Sequence, residues 1–226
     1  ERLHLLSRAT GMEHLLRSEE LPGLASHWQF KIAEDHAQAR ILLPGSFMHD
    51  DAYKPGALLD GPALTRAVQA NRTVVLHNVE LYSRRIGLLA LGLMRAFGVY
   101  SQANVYYSPP GLESAVHAHQ DAQSVFIVQC EGHKRWQLLE PPQRWRLRYN
   151  QRGKAGDVAP EEELTRPLAD ITLAPGDVLF VPRGLYHRTS TLIDASGGGG
   201  IDAGSAAVAS LHVTIGVETD TDGWTW

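Results

Sequence analysis

Pro175-Gly-Asp-Val-Leu-Phe-Val-Pro-Arg-Gly-Leu-Tyr-His187 is the stretch that decides the fold. It reads as a strand, Asp177–Pro182, then a tight turn through Gly184, then a second strand, Tyr186–Thr191, that aims a histidine inward. The same texture continues on both sides. Candidate strands Asn104–Ser108, Ser124–Cys130, His133–Glu140 and Ser210–Gly216 are separated by Pro and Gly, the pattern of an all-β sandwich or barrel. Pro141–Pro167 reads as a surface insertion, and Asp194–Ser205, with its run of glycines, as a flexible loop. Neither is expected to supply core.

Upstream the pattern is mixed. Gly61–Pro62 opens a helix through Ala70, Thr73–Leu76 is a β-branched buried strand, and a second helix runs from about Leu81 to Phe97, stopped by Gly98. The expected division is therefore 1–98, a mixed α/β part packing on the barrel, and 99–226, the β core.

Side chains repeat every two residues along a strand. Ser210, His212 and Thr214 thus share one face of the last strand, opposite Leu211, Val213 and Ile215; Asn104, Tyr106 and Ser108 share a face of the first. These faces are polar yet lack the Lys and Glu of a solvated sheet. Two readings fit, a solvent-exposed sheet face and a barrel interior that holds a polar small molecule, and the missing charges favour the interior.

Gly111-Leu-Glu-Ser-Ala-Val-His-Ala-His-Gln-Asp121 places His117, His119 and Asp121 at alternate positions. With the distant His187, the pair His119 and Asp121 makes a 2-His-1-carboxylate triad, which covers one face of an octahedron and leaves three positions open. Imidazole and carboxylate suit iron(II), and no thiolate competes for the metal. A plain cupin site would use His117, His119 and His187 instead, with Gln123 where such a site expects glutamate. Lys134 shares a strand face with Trp136 and Leu138, and a lysine pointing to the apolar side calls for an anionic partner. The alternative is a hairpin-edge lysine with its amine in water.

These motifs together resemble the JmjC-type oxygenases, specifically the ribosomal-oxygenase (cupin-4) subgroup. The matching elements are Asn104-Val-Tyr-Tyr-Ser-Pro-Pro110, His119-Gln-Asp121, Val125-Phe-Ile-Val-Gln129, Glu131-Gly-His-Lys-Arg-Trp-Gln-Leu138, Pro175-Gly-Asp177, Pro182-Arg-Gly184, His187 and Ser210-Leu-His-Val-Thr214. The resemblance implies a mainly β fold, a double-stranded β-helix of jelly-roll type with an α-containing N-terminal part. It implies an iron(II)- and 2-oxoglutarate-dependent dioxygenase that uses O2 to hydroxylate a protein side chain, histidine or arginine of a ribosomal protein. Carried over by position, His119, Asp121 and His187 hold the metal and Lys134 pairs with the distal carboxylate of 2-oxoglutarate. Asn104 and Tyr106 lie beside the cosubstrate, and His212 and Thr214 face the same cavity. Two departures stand out: an extra residue before His119, and Gly216 where the family has a serine, which suggests an altered carboxylate pocket. A JmjC lysine demethylase and a catalytically inactive binding module of the same fold are the remaining alternatives.

Composition sets the outer limits. The 226 residues, 43% hydrophobic and 20% charged, can bury a full core. A net charge of −4 gives no basis for direct nucleic-acid binding, but it suits a basic protein substrate. No apolar run reaches membrane-spanning length, and the single cysteine, Cys130, excludes an internal disulfide. The expected location is intracellular, cytoplasmic or nuclear/nucleolar. Homodimerisation would use regions outside this sequence.

Overall fold

The computed structural model describes residues 6–32, 38–46, 48–140, 142–146, 148, 159–192 and 209–218. The expected loop Asp194–Ser205 and the side chain of His117 lie outside the described residues.

The described strands form two antiparallel sheets. The larger contains β1 (Leu6–Arg8), β2 (Ala39–Leu42), β3 (Thr73–Leu76), β4 (Ser101–Ser108), β6 (Ser124–Glu131), β9 (Asp177–Val181) and β11 (Ser210–Val217), in the order β1-β9-β6-β11-β4-β3-β2. The smaller contains β5 (Val116–His119), β7 (Lys134–Leu139), β8 (Pro167–Leu173) and β10 (Tyr186–Ser190), in the order β5-β10-β7-β8. From β4 to β11 the chain changes sheet at every step except β7 to β8. That crossing pattern is the double-stranded β-helix.

The expected barrel strands are present, each within one residue at its ends except β4, which begins three residues earlier, at Ser101. Four strands were not among those expected: β1, β2 and β5, which are short, and β8, which follows the segment read as an insertion. β8 is the longest of them. Its pattern is faint because it is an edge strand whose first residues are exposed, beginning with a proline that costs no ladder bond there. The insertion also differs from expectation, since Ala159 and Leu164 are buried with Ala118, Leu139 and Tyr186.

Between the sheets lies an apolar plug of Val125, Ile127, Leu179 and Val181 from one and Trp136, Leu138 and Leu173 from the other. Outside the larger sheet lie three helices, α1 (Leu21–His27), α2 (Gly61–Gln69) and α3 (Arg84–Phe97). In α2 the Asp60 carboxylate accepts from the Ala63 amide at 2.7 Å, and Pro62 occupies the first turn. α3 ends at Gly98, whose φ of 71° is the left-handed cap glycine allows. A 3-10 turn, Val79–Leu81, precedes α3, so the helix begins three residues later than expected. Leu21, Ala63, Ala67 and Ile86 share one buried cluster with the outward residues of β4 and β11, notably Ala103, Val105, Leu211, Val213 and Ile215, and α3 lies directly on these two strands. Each larger side chain buried this way contributes about 1.5–3 kcal/mol.

β11 is consequently covered on both faces. Leu211, Val213 and Ile215 meet the helices, while Ser210 and His212 are buried on the inner side. The polar alternation marks an interior.

The β6–β7 turn depends on Gly132, at φ 61°, where a Cβ would overlap the backbone carbonyl of Ala209 just before β11. Gly132→Ala is expected to destabilise the fold by at least ~1–3 kcal/mol and to lower the melting temperature by several degrees. An unchanged melting curve would contradict this packing.

Candidate metal centre and its cavity

His119 ends β5 and His187 is the second residue of β10, and the two stand opposite each other in the β5–β10 ladder. Their rings approach with centroids 4.2 Å apart. Asp121 lies just beyond β5, where its backbone carbonyl accepts from the Gly184 amide at 3.0 Å. The β9–β10 turn therefore fixes the loop that carries the carboxylate. Arg183 strengthens this by donating its backbone N–H to Ser124 Oγ (3.1 Å) and its Nε–H to the Ala122 carbonyl (3.0 Å).

The donor atoms converge. His187 Nε2 is 3.4 Å from Asp121 Oδ2, and His119 Nε2 is 3.9 Å from Asp121 Oδ1. One ligand atom from each residue lies within 4.8 Å of the others. Six-coordinate ligands at ~2.1 Å would sit ~3 Å apart, so a small side-chain rotation closes the set. His187 is already in the required tautomer: its Nδ1–H donates to the Leu185 carbonyl at 3.0 Å, leaving the Nε2 lone pair toward Asp121. His119 and His187 are buried and Asp121 is partly open to solvent.

A cleft opens beside the triad. Tyr106, Val116, Val125, Lys134, Trp136, Thr189, His212 and Thr214 line it together with the three ligand candidates. Tyr106 and His212 are stacked, with planes 2° apart and centroids separated by 4.9 Å, and Trp136 meets His212 edge-on.

Lys134 is fully buried, with Nζ donating to Ser108 Oγ at 3.0 Å. The hairpin-edge alternative, with a solvated amine, does not hold. Burial alone pushes its pKa down to about 7. His212 is held well below its ordinary value by burial and then by the charge of Lys134, so its ring is neutral. Three further buried polar atoms on this lining, Trp136 Nε1, Thr189 Oγ1 and His212 Nδ1, have no hydrogen-bond partner among the described residues. Such atoms are rare in folded proteins and point to a missing polar ligand.

Asn104 is the exception among the expected residues. It shares the inward face of β4 but does not line the cleft; its Oδ1 is 3.1 Å from His77 Nδ1 and accepts from the Asn78 amide. These partners sit at the backbone turn at Asn78 (φ 56°). Gly216 is likewise outside the cleft, and the space a side chain would take there is filled by the Gln123 carboxamide. Ser108, Trp136 and Thr189 were not singled out as site residues in the sequence. The strand alternation that selected Tyr106 and Lys134 extends to Ser108 and Trp136 as well.

Residues 89–197 match the family described as JmjC domain. The chain carries a JmjC domain. It is 32% identical over 147 residues to ribosomal oxygenase 2 of Rattus norvegicus, covering 65% of this chain and 27% of that protein. It is 34% identical over 145 residues to the bifunctional lysine-specific demethylase and histidyl-hydroxylase NO66 of Drosophila melanogaster, covering 64% of this chain and 20% of that one. The JmjC chain thus spans about a quarter of the length of these relatives, or less. Among solved structures, the Escherichia coli ribosomal oxygenase YcfD in complex with cobalt and 2-oxoglutarate superposes with a TM-score of 0.54 at 20% identity, over 92% of this chain and 45% of that one. At that identity the likeness concerns the fold. No helix among the described residues is long and apolar enough to cross a membrane.

Proposed function

We propose that this JmjC chain is an iron(II)- and 2-oxoglutarate-dependent oxygenase that hydroxylates a side chain of a protein, histidine or arginine of a ribosomal protein. The observation that carries the reading is a cavity lined by a ligand triad and, among the described residues, by a buried lysine without a carboxylate partner and three unpartnered polar atoms. A small dicarboxylate with a metal-chelating end fits that arrangement of charge and hydrogen-bonding capacity.

In this reading His119, Asp121 and His187 hold the metal, and Lys134 anchors the far carboxylate. Ser108 orients the lysine, since its hydroxyl takes one ammonium hydrogen and also lies 3.1 Å from Thr73 Oγ1. Trp136 and the stacked Tyr106–His212 pair wall the cavity against water, and the neutral His212 offers a hydrogen bond without adding a second cation. Thr214 lies on the same wall. Bound iron with 2-oxoglutarate and dioxygen supplies oxidative decarboxylation to succinate and carbon dioxide, with one oxygen atom passed to a C–H bond of the substrate. The catalytic core is assigned to 99–226, with 1–98 packed against it, in an intracellular compartment, cytoplasmic or nuclear/nucleolar. The names of the relatives, ribosomal oxygenase and histidyl-hydroxylase, support the substrate class.

The test is iron-dependent conversion of 2-oxoglutarate to succinate, with and without a ribosomal-protein extract whose peptides are then mapped by mass spectrometry. Turnover stimulated by the extract, hydroxylated peptides and loss of both in His187→Ala are expected. Absence of iron-dependent succinate from the wild-type protein overturns the oxygenase reading. Demethylated lysines in place of hydroxylated side chains would move the reading to the demethylase.

A further inference from the structure

The residues adjoining the triad leave the smaller sheet on its other side. Gln120 stands between His119 and Asp121, and Tyr186 immediately precedes His187; both side chains are buried, at 1% and 0% exposure. Gln120 Nε2 donates to the Tyr186 hydroxyl oxygen at 3.2 Å and to the Trp145 carbonyl at 3.2 Å. The same hydroxyl oxygen accepts from the Ala159 amide at 2.7 Å. Trp145 and Ala159 belong to the segment joining β7 to β8. This segment is drawn together at its base, where Trp145 Nε1 donates to Glu163 Oε2 at 2.9 Å and the Glu140 amide donates to the Arg166 carbonyl at 2.9 Å.

Covering this face of the sheet requires no polar atoms. Leu139, Leu164 and Ala118 already pack there, and leucine and phenylalanine in place of Gln120 and Tyr186 would bury as much surface without desolvating an amide and a hydroxyl. What the polar pair adds is direction. A hydrogen bond between neighbours of facing ligand residues fixes how the end of β5 sits against the start of β10, and so sets the spacing of the donor atoms on the inner side.

We infer that Gln120 and Tyr186 are positioning residues that couple the β7–β8 segment to the geometry of the metal centre. The inference rests on the triad being that centre. Coupling is reciprocal: if the segment holds the ligands in place, metal binding holds the segment.

The experiment uses cobalt(II) as the probe on the whole chain. Hydrogen–deuterium exchange at the Ala159 amide should slow on cobalt loading of the wild-type protein. Tyr186→Phe, which removes one oxygen, should weaken cobalt affinity about 10–100-fold, in the range of outer-shell losses. It should also alter the visible ligand-field spectrum and abolish the slowing at Ala159. Gln120→Met serves as the second variant and is expected to do the same. A merely structural role would lower the melting temperature while leaving affinity and spectrum of the folded protein unmoved, and that result overturns the inference. So does wild-type protein that binds cobalt without any change at Ala159. Wild-type protein that binds no cobalt counts instead against the oxygenase reading itself.

Discussion

Lys134→Met is expected to make the ligand-free protein more stable and to destroy its affinity for 2-oxoglutarate. The ammonium is fully buried, its one hydrogen bond among the described residues is to Ser108, and burial drives its pKa to about 7. Exchanging a buried ion for an apolar side chain of similar length stabilises a fold by ~1–4 kcal/mol. For a chain of this size that corresponds to a rise of roughly 3–10 °C in melting temperature. Losing a buried charge pair with the ligand should cost ~3 kcal/mol or more in binding, about a hundred-fold. Thermal unfolding and 2-oxoglutarate titration of both proteins measure the two effects. A fall in melting temperature with unchanged affinity would show a purely structural lysine.

The same residue dictates a pH dependence. Its folded pKa, about 7, lies below its unfolded value of ~10.4. The unfolded chain therefore binds more protons between those values, and the stability of the wild type rises with pH across that window. Below pH 7 the penalty is fully present. The stability gap between Lys134→Met and wild type should accordingly narrow as pH climbs from 7 toward 10.

Asp121→Ala is expected to eliminate metal binding and turnover together, whereas His117→Ala keeps both. Asp121 is the sole carboxylate facing His119 and His187 among the described residues, and it approaches both at 3.4–3.9 Å. Without it two neutral imidazoles remain, which lack the charge to hold a hard divalent ion. The loss should exceed the ~10–100-fold typical of outer-shell substitutions. Isothermal titration with cobalt(II) and succinate formation are the measurements. The reverse outcome, metal lost with His117 and retained without Asp121, would establish the cupin ligand set.

Much of this site could be read in the sequence because its two signals, strand alternation and a glycine turn, are local. Alternation along β11 and β4 sorted His212, Thr214 and Tyr106 onto the inner face, and the strand–turn–strand around Gly184 aimed His187. Asn104 obeyed the same alternation, yet a distant turn at Asn78 captured its carboxamide, and no pattern in β4 encodes that. β8 was missed for a related reason. An edge strand with half its residues in solvent carries little hydrophobic signal, and its place comes from pairing with β7. Gln120 and Tyr186 adjoin ligand residues, but nothing in their local sequence marks them. Their partners, Trp145 and Ala159, lie across a segment whose course no local rule could trace.

The strand β11 has no solvent side. Its inner residues meet the cleft and its outer residues meet helices drawn from the first hundred residues. Chemistry and shelter therefore share a single sheet of backbone, so cutting away those first hundred residues would strip the wall of the reaction chamber of its coat. A fragment trimmed to the barrel alone would present Val213 and Ile215 to water and invite self-association. Evolution can vary the helices of this protein only as far as the wall they lean on stays in place.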